Sequence, residues 1–266
     1  MGEQGVGDQV LYASLIRELQ ASCHHVVAEV DKRLVPLFRR SFSGNIHIES
    51  IGRLTSAGEG RFADSYIALA ELGRIYRQSE SSFPQDQCSY LVADASRCRQ
   101  LVESIRGKSN KRIIGLSWQS AGKGYENRCK SINMAEMATA LSRIDAHFLC
   151  LQYGVSRHDI DLLNNSLGIH IRFIEDIDLW NDIDGLASLV EACDTVITTS
   201  NITAHLAGAL GKRTHLLVPQ APNYYWGLNK SKTPWYQSLD IYRQSVNGDW
   251  KEPLEILATV LASEDN

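Results

Sequence analysis

The sequence predicts an α/β chain in two units, and three observations carry that prediction. Residues 195–211 read as a strand, a polar turn and a helix. From residue 112 onward, strand-like and helix-like runs alternate, which implies a parallel sheet covered on both faces. A glycine-rich turn at Gly2–Asp8 opens directly onto an apolar helical stripe, Val10, Leu11, Leu15, Ile16 and Leu19.

The remaining elements follow in order. Val26–Val30 reads as a strand, and Asp31 is placed to cap a helix carrying Leu34, Leu37 and Phe38. Ile46–Ser50 alternates like a short strand, and residues 56–64 form a glycine-rich loop. Ile67–Tyr76 is partly helical, Ser79–Gln87 is a polar linker, Ser89–Val92 is extended, and Ala95–Arg106 is a helix. The polar segment Gly107–Lys111 divides the chain into residues 1–108 and 109–266.

In the second half, strands are expected at Arg112–Trp118, His147–Gln152, Ile169–Phe173, Thr195–Thr199 and Thr214–Val218. Helices are expected at Met134–Arg143, Arg157–Leu167, Gly185–Cys193 and Thr203–Leu210, and a terminal helix over 249–261. Asn133 and Glu136 have capping-box spacing. Gly208 lets the helix of residues 203–210 lie close to the sheet, and Gly211 stops it.

Composition narrows the function. With 44% hydrophobic residues the chain can build a sizeable core. A net charge of −4 with interspersed signs argues against a nucleic-acid binder. Six scattered cysteines show neither zinc-site nor disulfide spacing, and reduced cytoplasmic thiols are the simpler reading. No transmembrane run or signal peptide is visible.

The polar clusters of the second half fall at expected strand ends, where ligands of parallel sheets gather. They are Trp118-Gln119-Ser120, Gln152-Tyr153-Gly154, Asp182 with Asp184, and Ser200–His205. At Ser200-Asn201 a helix N-terminus offers unpaired N–H groups and a positive dipole end to a phosphate. Thr203 adds a hydroxyl and His205 an imidazole; the same pattern also fits an ordinary strand–helix turn with a structural histidine. The loop 118–131 carries Lys123, Arg128 and Lys130, which either neutralise a diphosphate or form a solvated basic surface.

Gly5 and Gly7 let a substrate approach the backbone closely. Asp8 reads either as a helix cap or as a general base facing a cleft. Asp178, Asp182 and Asp184 fit dipole-favoured caps better than a metal site, so no metal ligands are assigned. Trp226 and Pro234-Trp235-Tyr236 either pack between layers or stack on a base or sugar.

Several motifs together resemble the GT-B glycosyltransferases related to bacterial heptosyltransferases, above all the transferase modules that follow tetratricopeptide repeats. They are residues 2–14, Leu72–Arg77, Gly115–Trp118, Lys130–Ile132, Leu151–Gly154, Asn181–Asp184, Ala204–Gly211, Pro234–Tyr236 and Tyr242–Gln244, in the family's order along the chain. The resemblance implies two Rossmann-like domains facing a cleft, a returning C-terminal helix, and no obligatory cofactor or catalytic metal. It implies a nucleoside-diphosphate sugar as donor, held mainly by the second domain at Trp118, Ser120, Lys130, Gln152, Ser200, Asn201, Thr203, Ala204 and His205. Asp8 matches the proposed acceptor-side base, with Gly5 and Gly7 in the acceptor-side loop, and Lys130 matches a lysine near the diphosphate.

The activity so implied is hexosyl or heptosyl transfer, by direct inversion, to an unidentified glycan or protein acceptor in the cytoplasm. A non-catalytic nucleotide-sugar-binding module and a nucleotide-sugar epimerase are the alternatives. The strand that precedes such a glycine loop is missing from this sequence, as are tetratricopeptide repeats. Loss of that central strand predicts a cavity or an exposed apolar seam.

Overall fold

A computed structural model describes residues 5–52, 64–85, 89–120, 128–228 and 230–264. The glycine-rich loop of 56–64 therefore falls almost wholly outside the described residues, as do Gly2 and Lys123. The elements assemble around two separate parallel sheets.

The smaller sheet pairs β1 (Val26–Val30) with β2 (Ile46–Ser50), in the register Val26 to Ile46. Helices α1 (Val6–Ala13) and α2 (Ile16–Ser22) precede it, and α3 (Val35–Ser41) connects its strands. The single apolar stripe read from Val10 to Leu19 is thus two helices, broken at Ser14, whose hydroxyl bonds back to the Leu11 carbonyl. Asp31 does not cap α3; its carboxylate takes the backbone and guanidinium of Arg33 instead. Val26, Ala28 and Val30 of β1 are covered, 6%, 9% and 1% exposed, while Val27 is partly buried. Ala28 and Val30 belong to a core that also contains Val10, Leu11, Leu34, Leu37 and Phe38.

The larger sheet holds β3 (Arg112–Ser117), β4 (Ala146–Cys150), β5 (Ile171–Arg172), β6 (Thr195–Thr199), β7 (Thr214–Val218) and β8 (Leu239–Arg243). Its spatial order is β5-β4-β3-β6-β7-β8, all parallel. Counted from β3, this is the doubly wound order 3-2-1-4-5-6. β6 and β7 are buried along their whole length, which is why their apolar, β-branched runs read correctly from sequence.

β5 is far shorter than expected. Its free edge is closed by Asn164, whose side chain accepts the Ile171 N–H at 2.8 Å and donates to the Ile171 carbonyl at 3.0 Å. A side chain thus takes the place of a further strand. β8 adds a strand beyond those the sequence predicts, with Leu239 and Ile241 turned into the core.

The helices between these elements are α4 (Glu71–Tyr76), α5 (Ala95–Arg106), α6 (Met134–Leu141), α7 (Arg157–Ser166), α8 (Ile183–Ala192), α9 (Ile202–Leu210) and α10 (Lys251–Glu264). Asn133 does cap α6, accepting the Ala135 N–H, while a reciprocal capping box is found at Ser156 and Asp159 on α7. α9 stops at Gly211 as expected. Gly208 serves a different neighbour than expected: a Cβ there would overlap the Tyr236 ring, not the sheet.

α5 packs on α8, joined by Arg97 to Asp182 and Arg106 to Asp194. α1 packs on α9, which brings Gly7 against His205 of that helix. The last helix packs on elements of the second half: α10 lies on α6 and β8. Glu264 holds its end there, paired with Arg112 and Arg213. No helix among the described residues is long and apolar enough to cross a membrane.

Candidate functional site

In a doubly wound sheet the ligand crevice opens where the winding reverses. Here that point lies between the carboxyl ends of β3 and β6. Trp118–Ser120 leaves β3 there, and Ser200–Thr203 leaves β6.

Asn201 ties the two turns together. Its Oδ1 accepts the Thr203 N–H at 2.9 Å and caps α9, while its Nδ2 donates to Ser117 Oγ at 2.8 Å and the Gln119 carbonyl at 3.0 Å. Gln152, at the end of β4, fixes the same turn. Its Oε1 accepts the N–H groups of Trp118 (2.9 Å) and Gln119 (2.8 Å), and its Nε2 donates to the Tyr153 carbonyl. Both side chains are buried and fully engaged, so they shape the crevice from beneath.

Other expected ligand contacts are also buried. Trp118 is 2% exposed, and Ser200 Oγ accepts the Trp226 indole N–H at 2.8 Å. Ala204 and Thr203 have no exposed surface. Thr203 Oγ1 has no partner among the described residues, which leaves a hydroxyl free at the start of α9. Ser120 is half-buried, with its N–H facing Ser131 Oγ at 3.5 Å.

His205 lies inside an aromatic cage. Its ring stacks on Trp226 with centroids 5.1 Å apart, meets Tyr225 and Tyr236 edge-on, and bonds Tyr236 Oη through Nδ1 at 3.0 Å. Burial first, then the nearby Lys130 charge, push its pKa down to about 3. The imidazole is therefore neutral near pH 7 and supplies no cationic charge to a phosphate. Gly7 makes room for this ring, since a Cβ at Gly7 would stand 3.0 Å from His205 Cδ2.

Asp8 is in the first turn of α1, where the exposed Gly5 is the cap residue, so the reading of Asp8 as the N-cap does not hold. Half-burial raises the Asp8 pKa above the usual carboxylate value. The Gly5 N–H, the Lys130 charge and Asp8's own N–H oppose that rise and do not cancel it. Desolvation outweighs the loop and the helix end.

Lys130 is half-buried, and its ammonium acts on both Asp8 and His205. Its backbone is anchored to β6, because Thr199 Oγ1 donates to the Lys130 carbonyl. A carboxylate, an ammonium and the start of α9 therefore converge at the point where the winding reverses. The remainder of the basic loop, residues 121–127, lies outside the described residues.

Of the acidic trio, only Asp182 caps a helix. Asp182 caps α8 through the Gly185 N–H, Asp178 accepts the Trp180 and Asn181 N–H groups, and Asp184 pairs with Arg40.

Several residues near the site went unrecognised. Tyr12 lies one helical turn beyond Asp8, and its hydroxyl meets that of Tyr224 from the second half. The i, i+4 spacing from Asp8 was the available signal. Tyr225, its pKa raised to about 12 chiefly by burial, also feels the Asp8 charge, as does Tyr236 of the motif already singled out in the sequence. A separate cavity of about 820 Å³, lined by Arg97, Arg157, His170 and Arg172 among others, contains none of the expected site residues.

No protein-family profile matches the chain. Protein FlbA of Caulobacter vibrioides is 27% identical over 274 residues, covering 97% of this chain and 45% of that protein. The chain thus spans about half the length of that relative. Among solved structures, a family 9 glycosyl transferase of Veillonella parvula superposes with a TM-score of 0.66 at 12% identity, covering 99% of this chain and 95% of that one. The ADP-heptose lipopolysaccharide heptosyltransferase II of E. coli gives 0.63 at 16% identity, covering 100% and 98%. E. coli heptosyltransferase WaaC with ADP-2-deoxy-2-fluoro heptose gives 0.51 at 11% identity, covering both chains fully. The chain has the GT-B fold of these glycosyltransferases.

Proposed function

We propose that this chain is a cytoplasmic glycosyltransferase, or a transferase-like module, whose donor is a nucleoside-diphosphate sugar. Residues 109–266 hold the donor and residues 1–108 present the acceptor side, an unidentified glycan or protein hydroxyl. The observation that carries this reading is that the charge of Lys130, whose backbone is tied to the end of β6 through Thr199, acts on the half-buried Asp8 carboxyl.

The chemistry follows from that pair. The acceptor hydroxyl gives its proton to the Asp8 carboxylate as its oxygen bonds the anomeric carbon. The bond from that carbon to the diphosphate breaks, and its electron pair leaves with the nucleoside diphosphate. Lys130, the Thr203 hydroxyl and the positive end of α9 offset the developing charge. The raised pKa of Asp8 makes it a stronger base than an ordinary carboxylate. This inverting scheme calls for no cofactor, no metal and no covalent intermediate.

The test is turnover of a labelled nucleotide-sugar panel by the unaltered chain and by Asp8→Asn. That substitution keeps the shape and removes the basicity. Donor affinity is expected to hold while turnover falls by about 10²–10⁴-fold, the range for a positioned base. Equal turnover in both proteins would remove Asp8 from catalysis. Donor binding without turnover in the unaltered chain would favour a binding module, and recovery of an altered donor sugar would favour an epimerase.

A further inference from the structure

Tyr224 is 69% exposed, yet it is not a loose surface side chain. It opens a single 3₁₀ turn, Tyr224–Trp226, in the connection between β7 and β8. Trp226 fastens that turn at the crevice. Its indole N–H donates to Ser200 Oγ at 2.8 Å, just past the end of β6, and its ring stacks on His205. The Tyr224 ring meets Tyr225 edge-on, with centroids 5.2 Å apart, and its hydroxyl meets that of Tyr12 from the first half.

Tyr12 is fixed from three sides. Trp235 meets its ring edge-on at 5.7 Å, and Tyr224 holds its hydroxyl. Gly73 of α4 leaves it room, since a Cβ there would stand 3.3 Å from Tyr12 Cε1. Asp8 precedes Tyr12 by four residues on α1, so the two side chains share a helix face with Cβ atoms about 5–6 Å apart. Gly7, next to Asp8, lies against His205, whose ring centroid is 5.2 Å from that of Tyr225. The contacts close a circuit through Asp8, Tyr12, Tyr224, Tyr225, His205 and Gly7. Tyr225, Trp226 and Tyr236 are buried, so the open aromatic face beside Asp8 is that of Tyr224.

The chemistry of the tyrosine pair selects what can lie on it. Two hydroxyls carry two protons, and their mutual bond uses one, which leaves one O–H to donate and oxygen lone pairs to accept. The surface is thus an apolar ring with a polar rim. A pyranose matches it, with a face of C–H groups and hydroxyls around the edge that need partners once they leave water. One sugar ring also spans the helical turn between Asp8 and Tyr12. A serine or threonine side chain offers a single hydroxyl and no such face.

We infer that Tyr12 and Tyr224, one from each half, form the acceptor subsite and that the acceptor is a sugar. Its C–H face lies on the Tyr224 ring, and one of its hydroxyls bonds the tyrosine pair while a neighbouring hydroxyl reaches Asp8. This rests on the proposed reading of Asp8 as the base.

Saturation-transfer NMR reads the subsite without requiring turnover, with the methyl glycosides of glucose, galactose and mannose as probes. The unaltered chain is expected to transfer saturation to the ring C–H protons of at least one of them. Tyr224→Ala is expected to weaken that binding by roughly 5- to 150-fold, for one aromatic contact and one hydrogen bond lost together. Tyr224→Phe keeps the ring and is expected to lose roughly 2- to 12-fold. Calorimetry with ADP, UDP, GDP and CDP is expected to give the same nucleotide affinity in all three proteins, which reports an intact fold and donor side. Absence of glycoside binding by the unaltered chain overturns the subsite and leaves the donor reading standing, as does glycoside binding unchanged in Tyr224→Ala. A serine- and threonine-bearing peptide that displaces the glycosides and needs Tyr224 overturns the choice of a sugar. Failure of the unaltered chain to bind any of the four nucleotides overturns the donor reading and this inference with it.

Discussion

The imidazole of His205 lies against the indole of Trp226, the ring centroids 5.1 Å apart and the planes 25° from parallel. A residue that the sequence offers as a phosphate ligand is thus part of an aromatic core beneath the crevice, 3% exposed. His205→Ala is expected to leave a cavity next to Trp226 and Tyr236. It should lower the unfolding free energy by about 3 kcal/mol, in the range of large-to-small core changes. Urea denaturation of the two proteins measures this, and a loss below about 0.5 kcal/mol would contradict the packing role.

Lys130 behaves differently, because its side chain is half-buried at the mouth of the same crevice. Lys130→Ala is expected to weaken nucleoside-diphosphate binding by about 1.5–3 kcal/mol, the worth of a hydrogen bond to a charged group. Its denaturation midpoint should move little. Calorimetry showing equal affinity in Lys130→Ala and the unaltered chain would remove Lys130 from the diphosphate site.

His215 predicts a pH effect on stability. It points from β7 toward α10, fully buried, with Nδ1 bonded to Tyr242 Oη at 2.9 Å. Burial, reinforced by Arg213 and Arg112 against Asp240, pushes its pKa down from 6.5 to about 4. The unfolded chain therefore binds this proton more readily than the folded one. Stability is fully present above pH 6.5 and is lost as pH falls through about 4. Between pH 7 and pH 5 this group alone should remove on the order of 2 kcal/mol. His205, also depressed, adds a loss of the same sign. Denaturation curves of the unaltered chain and His215→Asn at both pH values isolate the His215 share. Equal pH dependence in the two proteins would refute the assignment.

Legibility in the sequence depended on how local the cause was. The bounds of β6 and β7 are those read from their buried β-branched runs, because a fully covered parallel strand leaves a continuous apolar signature. The Asn201 cap and the Gly211 stop were readable for the same reason: each acts on backbone within a few residues of itself. β5 read too long because its end is set by Asn164, seven residues from Ile171 in sequence and on another element. Asp31 is the exception, because its competitor is local: Arg33, two residues on, takes the carboxylate and α3 starts beyond it.

The site divides along the same line. Sequence by itself determined which residue types stand at the strand ends, the alternation that makes the larger sheet parallel, and the family whose motifs the chain resembles. Those follow from periodicity, capping chemistry and order along the chain. Tertiary structure alone decided which side chains face the crevice and which lie beneath it. Gln152, Asn201 and His205 turned inward because each found partners from distant segments: the Trp118 turn, Ser117 and the Trp226–Tyr236 cage. It also set the charge states, since desolvation raises Asp8 and lowers His205, and desolvation depends on everything packed around a group rather than on its neighbours in sequence. The approach of Arg33 to Trp180, 147 residues apart, belongs to that second class, because only the packing of one half against the other brings the two together.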